Sequence, residues 1–234
     1  MSALKGTRIT WLGHATVLVT TAKGTNILID PFIKDNPKYP KGFELPEKID
    51  FVLLTHGHGD HISDVVPVAK KHGSKVVAIY ELADYVQHKG VKETIGMNLG
   101  GTVQLADVAA TMVEAKHSSG AQDEDGTHYV GVAGGYVLTI ADGPVLYHAG
   151  DTSVFSDMQL IKELYAPEVA MLPIGGHFTM DPKQASLAVK YLAPKTVLPL
   201  HFGTFPPLTG TPEELAALVG PGVEVVRWKP GESI

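Results

Sequence analysis

The sequence predicts an α/β fold in which two sheets pack face to face with helices on the outside. Three observations support this class. Each half of the chain begins with short strand-like runs and then alternates strands with helices; no short-period repeat or low-complexity tract interrupts the pattern; and 44% of the 234 residues are hydrophobic, enough for a large core. A chain of this length and class is expected to form one domain, residues 1–234.

The first half opens with strand-like runs at 8–12, 15–20 and 26–30, separated by Gly13-His14 and Lys23-Gly24, as in an antiparallel start. Asp30 closes the third run before Pro31. A carboxylate there either supports a site at the strand end or caps the turn into the proline, and His14 carries the same ambiguity. Residues 34–48 shift to lysine, proline and glycine and read as a solvated surface loop that could cover a site. Residues 51–54 are apolar and partly β-branched, the mark of a buried strand. Next, Ile62, Val65, Val66 and Ala69 follow the i, i+3, i+4, i+7 spacing of a helix that Gly73 stops. Pro67 lacks an N–H and belongs near that helix's start, which leaves Asp60 and His61 in the loop or at its amino end. Residues 75–80 form the following strand, while His72 and His88 lie among lysines and read as surface residues.

In the second half, strands are expected at 111–115, 135–140 and 145–148. A helix carrying Leu160, Ile161, Leu164 and Tyr165 ends before Pro167, and a strand follows at 169–172. Asp181-Pro182-Lys183-Gln184 has the residues of a capping box with proline at the first helical position, ahead of apolar Ala185, Ala188, Val189 and Leu192. A strand at 196–200 and a similar start at Thr211-Pro212-Glu213-Glu214 complete the pattern.

Composition narrows the function. With 25 acidic against 19 basic residues the net charge is -6, so the overall field opposes a nucleic-acid backbone, and no nucleic-acid partner is expected. The chain has no cysteine, which excludes disulfides, thiolate ligands and a cysteine nucleophile; any metal must be held by nitrogen and oxygen. No run approaches the ~20 apolar residues of a membrane span, so no stable membrane insertion is expected and a cytoplasmic location is the default. Whether the chain is a monomer or a homo-oligomer stays open.

The chemistry concentrates in Thr55-His56-Gly57-His58-Gly59-Asp60-His61, directly after a strand. His56, His58, Asp60 and His61 can all bind a metal, and imidazole with carboxylate suits zinc, manganese or iron. Gly57 and Gly59 remove Cβ groups that would hinder a tight loop. A solvated histidine-rich loop is the competing reading. His117, Asp151, His177 and His201 each follow a later strand, and ligands at the ends of rigid strands can converge on one point. Singly, each would pass for a core, turn or surface residue; jointly they make a site. Seven groups, His56, His58, Asp60, His61, His117, Asp151 and His201, exceed what one metal needs and would fill two adjacent positions with room for water.

These residues resemble the metallo-β-lactamase superfamily, whose T-H-x-H-x-D-H signature, later lone histidine, G-D-T segment and terminal histidine occur here in the same order. Trp11-Leu12-Gly13-His14-Ala15-Thr16, Leu28-Ile29-Asp30-Pro31, Lys116-His117-Ser118-Ser119, His148-Ala149-Gly150-Asp151-Thr152, Pro173-Ile174-Gly175-Gly176-His177-Phe178-Thr179-Met180 and Pro199-Leu200-His201-Phe202-Gly203-Thr204 look like its metal-dependent hydrolase branch. That branch is similar to the ascorbate-6-phosphate lactonases and the phospholipase D enzymes acting on N-acyl phosphatidylethanolamines. The resemblance implies a four-layer αββα sandwich with a dinuclear site at one edge between the sheets. It also implies that His56, His58 and His117 hold one metal, that Asp60, His61 and His201 hold the other, and that Asp151 bridges them. His177 has no place in that set and is assigned to substrate contact or proton donation, His148 to buried support of the site, and His128 to a structural or exposed position.

Two divalent cations, zinc first with manganese or iron as alternatives, would share a water whose pKa falls from 15.7 towards ~7, giving a hydroxide able to attack a carbonyl carbon or a phosphorus. Asp60 would ligate and also orient that hydroxide. Segments 118–126 and 203–210 would wall the substrate, with Phe205 a candidate apolar contact. The expected function is hydrolysis of an ester, lactone or phosphodiester in a small-molecule substrate. Alternatives are an iron-dependent dioxygenase or other redox enzyme on the same fold, and a metal-binding protein without turnover. Oxygen-reducing relatives usually carry glutamate where this chain has His58, which counts against that branch.

Overall fold

A computed structural model describes residues 4–234. The chain opens with β1 (Arg8–Trp11), β2 (Val17–Thr20) and β3 (Asn26–Ile29), an antiparallel meander. β4 (Phe51–Leu53) adds parallel to β3; α1 (Gly59–Ile62) and α2 (Val65–His72) lead to β5 (Lys75–Ile79), and α3 (Tyr80–His88) leads to β6 (Thr94–Met97), each strand parallel to the last. Among the described residues these six strands form the first sheet, in sequence order.

The second half repeats the plan. β7 (Thr102–Leu105) and β8 (Val108–Glu114) are followed by a separate hairpin, β9 (Gly120–Asp123) and β10 (Gly126–Tyr129). The chain then returns to the sheet in β11 (Gly134–Ile140) and β12 (Val145–His148). α4 (Met158–Tyr165), β13 (Val169–Pro173), α5 (Pro182–Leu192), β14 (Thr196–Leu200), α6 (Pro212–Leu218) and β15 (Glu224–Val225) complete it. The sheet order is β15-β14-β13-β12-β11-β8-β7, antiparallel from β7 to β12 and parallel from β12 to β15.

The period-2 alternation of a strand divides the second sheet between two cores. Met112, Tyr136, Leu138, Met171 and Leu198 join the core shared with the first sheet, whereas Val113, Val137, Tyr147, Ala170, Leu172 and Val197 pack under α4, α5 and α6. In the first sheet, successive residues Val76, Val77, Ala78 and Ile79 are all buried, because α2 and α3 cover the face that the second sheet does not. The layers are therefore helix, sheet, sheet, helix, the expected αββα sandwich. Truncating a core leucine such as Leu138 or Leu172 to alanine is expected to cost ~2–5 kcal/mol.

Hydrogen bonds tie the two sheets together at one edge. The Tyr136 hydroxyl donates to the Leu54 carbonyl at 2.9 Å, the Gly134 N–H to the Thr55 carbonyl at 2.9 Å and the His201 N–H to the His14 carbonyl at 3.0 Å. Burial raises the Tyr136 phenol well above its ordinary pKa, so it stays a donor. This edge carries the carboxyl ends of β3, β4, β12, β13 and β14.

Several local expectations are corrected. The strand expected at 75–80 ends at Ile79, since Tyr80 begins α3, and α3, β6, β7 and β15 come in addition to the expected elements. The helix expected from Ile62 is broken into α1 and α2, with Asp60 and His61 inside α1. At α5 only half of the capping box forms: Asp181 accepts from the Gln184 N–H at 2.7 Å, whereas at α6 Thr211 and Glu214 form the full reciprocal pair. In α4, Met158 and Ile161 are buried but Leu160 and Leu164 are exposed. Residues 34–48 are less solvated than their composition suggests, because Tyr39, Phe43 and Leu45 pack on the main core. Among the described residues no helix is long and apolar enough to cross a membrane.

Candidate metal centre

Seven side chains converge at the sheet edge. His56 and His58 lie on the loop after β4, and Asp60 and His61 lie in α1; His117 follows β8, Asp151 follows β12, and His201 directly follows β14. His56 and His61 are fully buried, His201 and Asp151 nearly so, and the Asp60 side chain is 32% exposed, so the group opens outward past Asp60. Asp151 Oδ2 stands at the centre. It lies 3.1 Å from His201 Nε2, 3.4 Å from His61 Nε2, 3.6 Å from His117 Nε2 and 3.9 Å from His56 Nε2. His56 Nε2 faces His58 Nδ1 at 2.9 Å. One donor atom from each of His56, His58 and His117 lies within 4.8 Å of the others, and the same holds for His14, Asp60, His61 and His201.

The hydrogen-bond network sets which imidazole nitrogens are free. Asp30 is fully buried; its Oδ1 accepts the Thr55 N–H at 2.8 Å, and its Oδ2 accepts the Thr55 hydroxyl at 2.7 Å and His61 Nδ1–H at 2.8 Å. His61 therefore presents an unprotonated Nε2 whenever it is neutral. Because the Thr55 hydroxyl proton goes to Asp30, its oxygen accepts from His56 Nδ1–H at 3.0 Å, which leaves His56 Nε2 unprotonated and facing His58 Nδ1. A carboxylate that holds the far nitrogen of a ligand histidine fixes both its tautomer and its orientation. Asp30, for which the sequence left a cap and a supporting role open, thus orders two of the candidate ligands, His61 directly and His56 through Thr55.

Electrostatics favour a cation here. Burial lowers the pKa of His56 well below 6.5, and burial also lowers His58 and His117, so their lone pairs are available at neutral pH. His61 behaves oppositely: burial would lower it, but Asp151 and Asp30 on its two sides raise it well above the ordinary value. Burial would raise Asp151, yet His201 and His61 hold it well below the usual carboxylate range. The carboxylates on both sides of His61 favour positive charge at this point. His61 Nε2, Asp151 Oδ1 and both His201 nitrogens are buried without a hydrogen-bond partner. Each such atom costs ~1–3 kcal/mol unless something satisfies it. Converging nitrogen and oxygen donors, several of them buried without a partner, fit divalent metal ions.

The backbone is strained at the same edge. His14, Asp30 and His201 have φ of 55°, 49° and 53°, a left-handed conformation that side chains seldom adopt and that collects at functional sites. Gly150, before Asp151, has φ of 61°, and a Cβ there would meet the Gly134 carbonyl oxygen and Thr55 Cβ, each at 2.8 Å. A Cβ on Gly57 would meet Val130 Cγ2 at 2.4 Å, whereas one on Gly59 would meet nothing within 4 Å. Only the first of these two glycines is required by close packing.

The remaining histidines separate clearly. His14 is fully buried, with Nε2 3.0 Å from Asp60 Oδ2 and Nδ1 3.0 Å from the Thr204 hydroxyl. Burial lowers its pKa to about 4, so it is neutral in the fold. His148 accepts the Gly150 N–H at Nδ1 (3.2 Å) and donates from Nε2 to the Ala15 carbonyl (3.2 Å), bracing the turn before Asp151. His128 pairs with Asp123 at 2.7 Å, His72 donates to the Glu47 carbonyl at 3.0 Å, and His88 is exposed. His177 is exposed, has φ of 59°, and packs edge-on against Phe178 with ring centroids 4.4 Å apart. It stands outside both ligand groups.

A cavity of about 460 Å³ opens beside His58 and Asp60, and Ser118, Gly120, Gln122 and Thr127 contribute to its lining. The segment expected to wall the substrate is thus the β9–β10 hairpin, not an irregular loop. Ser118 Oγ lies 3.3 Å from His58 Nε2. Phe205, from the other expected wall, packs on His14 and Phe32. A larger cavity of about 660 Å³, beneath residues 34–48, includes none of the converging ligands.

Residues 25–202 match the family described as the beta-lactamase superfamily domain. A UPF0173 metal-dependent hydrolase of Koribacter versatilis is 54% identical over 98% of both chains. The metallo hydrolase Igni18 of Ignicoccus hospitalis superposes with a TM-score of 0.84 at 38% identity, covering 97% of each chain. CmlA, a diiron beta-hydroxylase from Streptomyces venezuelae, shares the fold with a TM-score of 0.77 at 15% identity, over 98% of this chain and 54% of its own. The fold, the converging histidines and aspartates and these relatives together make the chain a metal-dependent hydrolase that belongs to the metallo-β-lactamase superfamily.

Proposed function

We propose that the enzyme holds two divalent cations, zinc first with manganese or iron as substitutes, and hydrolyses an ester or lactone of a small molecule, with a phosphodiester as the next candidate. His56, His58 and His117 would hold one cation, Asp60, His61 and His201 the other, and Asp151 would bridge them. One observation carries this reading: a single oxygen, Asp151 Oδ2, lies 3.1–3.9 Å from imidazole nitrogens of both groups. A carboxylate suits that place because it has two oxygens and offsets part of the charge of two cations.

When bound, the cations supply Lewis acidity and lower the pKa of water from 15.7 towards ~7, so no side-chain nucleophile is required. The protein supplies position. Asp60, partly exposed at the mouth, can orient the attacking water while its other contacts hold it in place. Ser118, Gln122 and Thr127 give the cavity a neutral hydrogen-bonding wall, which suits an uncharged acyl group better than a phosphate. His177 is assigned to substrate contact or proton donation to the leaving group, reached by a substrate that extends beyond the cavity.

The test is a panel of lactones, carboxylic esters and phosphodiesters offered to chelated protein and to protein reloaded with zinc, manganese or iron. Hydrolysis should track metal loading and be fastest on a carbonyl substrate. Turnover that survives complete metal removal would contradict the reading, and dioxygen consumption by the iron-loaded protein would move it to the redox alternative.

A further inference from the structure

His14 lies outside the seven proposed ligands, yet it is buried within their group. Its ring is held on every side. Its centroid lies 3.9 Å from that of His201, and 5.7 and 5.5 Å from those of Phe32 and Phe205, both of which meet it edge-to-face. Its carbonyl accepts both the Trp11 indole N–H at 2.9 Å and the His201 N–H at 3.0 Å. Trp11 in turn stacks with Phe202 and with Trp228.

The partners of the two ring nitrogens decide the tautomer. An ionised carboxylate only accepts, so the nitrogen facing Asp60 Oδ2 at 3.0 Å must carry the proton. Nδ1 is then the acceptor, and the buried Thr204 hydroxyl, 3.0 Å away, donates to it. The chain of donation runs from Thr204 through His14 to Asp60. It mirrors the Thr55 and Asp30 network on the other side, with opposite effect. There a carboxylate takes the Nδ1 proton of His61 and leaves Nε2 free to ligate; here the Nε2 proton is committed to a carboxylate, which removes His14 from the ligand set.

We propose that His14 is the positioning residue of the second metal position: its Nε2–H, fixed by Thr204, holds the Asp60 carboxylate where it joins His61 and His201. This rests on the dinuclear reading above.

The two nitrogens give a test that a merely space-filling role would not pass. Glutamine at position 14 can place an amide N–H near the site of Nε2; asparagine can place one only near Nδ1. Asparagine tolerates positive φ better than glutamine, so any backbone effect at φ 55° works against the expected result. Zinc binding to wild type, His14→Ala, His14→Gln and His14→Asn is measured by competition with a coloured chelator, with circular dichroism to show that each variant folds. Wild type should bind two zinc ions. One of the two should lose ~10–100-fold in affinity in His14→Ala and His14→Asn while the other is unchanged, and His14→Gln should stay near wild type. If His14→Ala does not fold, the glutamine and asparagine pair decides alone. Equal affinities in those two variants, with two zinc ions bound, would overturn the role of His14 and leave the dinuclear reading intact. A wild type that binds only one zinc would overturn both.

Discussion

Replacing Asp30 by asparagine should disable the metal centre without touching a ligand. The substitution preserves shape and removes charge. Asp30 accepts three hydrogen bonds, from the Thr55 N–H, the Thr55 hydroxyl and His61 Nδ1–H, all at 2.7–2.8 Å. Asparagine can keep two of them by placing its oxygen where Oδ2 was; its amide then confronts the Thr55 N–H, donor against donor. Hydrogen bonds to a charged group contribute ~1.5–3 kcal/mol, against ~1 kcal/mol for neutral ones, so weakening two and breaking one costs about 3–5 kcal/mol. The same contacts viewed as a buried pair between Asp30 and protonated His61 give ~3–5 kcal/mol for removing one partner. The two routes describe one interaction and are not added. Urea unfolding of the metal-free protein should show that loss as a lower midpoint with an unchanged slope. Zinc affinity should fall by ~10–100-fold, because His61 loses the group that fixes its tautomer. An Asp30→Asn protein whose midpoint and zinc affinity both match wild type would refute the supporting role of Asp30.

Further outcomes rest on the same geometry. Burial keeps His14, His56, His58 and His117 below their ordinary pKa, so the unfolded chain takes up protons that the fold refuses once the pH drops below about 6.5; stability should fall there. His14 alone, shifted from 6.5 to about 4, accounts for about 3 kcal/mol by pH 4. His61 is raised, so the stability it adds is present below the ordinary histidine range and is lost as pH rises through its folded pKa. Melting of metal-free protein between pH 4 and 9 should therefore peak near neutrality, and a melting temperature that climbs steadily towards pH 4 would contradict these burials. Gly150→Ala, whose Cβ would strike the Gly134 carbonyl and Thr55, should displace Asp151 and reduce metal content measured by atomic emission; full metal content would count against the packing described. Gln122→Ala and Thr127→Ala should raise KM with little effect on metal content, and His177→Ala should change turnover while leaving metal content intact.

Much of the architecture could be read from the chain because its signals are local. Short apolar runs mark the strands at 8–12, 26–30, 135–140 and 169–172, and Asp181-Pro182 and Thr211-Pro212 mark two helix starts. What escaped depends on neighbours distant in sequence. β6, β7 and the β9–β10 hairpin carry weak apolar patterns, since each lies at an edge or on the surface where one face meets water. Leu160 and Leu164 fit a helix stripe but point to solvent, because α4 rests on Met158 and Ile161.

The candidate ligands stood out for another reason: His56, His58, Asp60 and His61 are close neighbours in sequence, and His117, Asp151 and His201 each follow a strand. Their supports did not. Thr55 and Thr204 are ordinary residues until their hydroxyls meet Asp30 and His14 across 25 and 190 positions of chain. His14 stands in a recognisable Gly13-His14-Ala15-Thr16 run, yet only the fold shows it 3.0 Å from Asp60. His177 sits in an equally distinctive run but is exposed and outside the groups of candidate ligands.

The central claim is that Asp151 joins two metal positions into a common centre. X-ray absorption on the zinc-loaded protein, with zinc counted per chain, addresses it most directly. Two zinc ions should be found, with a metal-to-metal distance of ~3.5–4 Å that is lost in Asp151→Ala. A single zinc per chain, or two zinc ions whose separation is unchanged in Asp151→Ala, would contradict it.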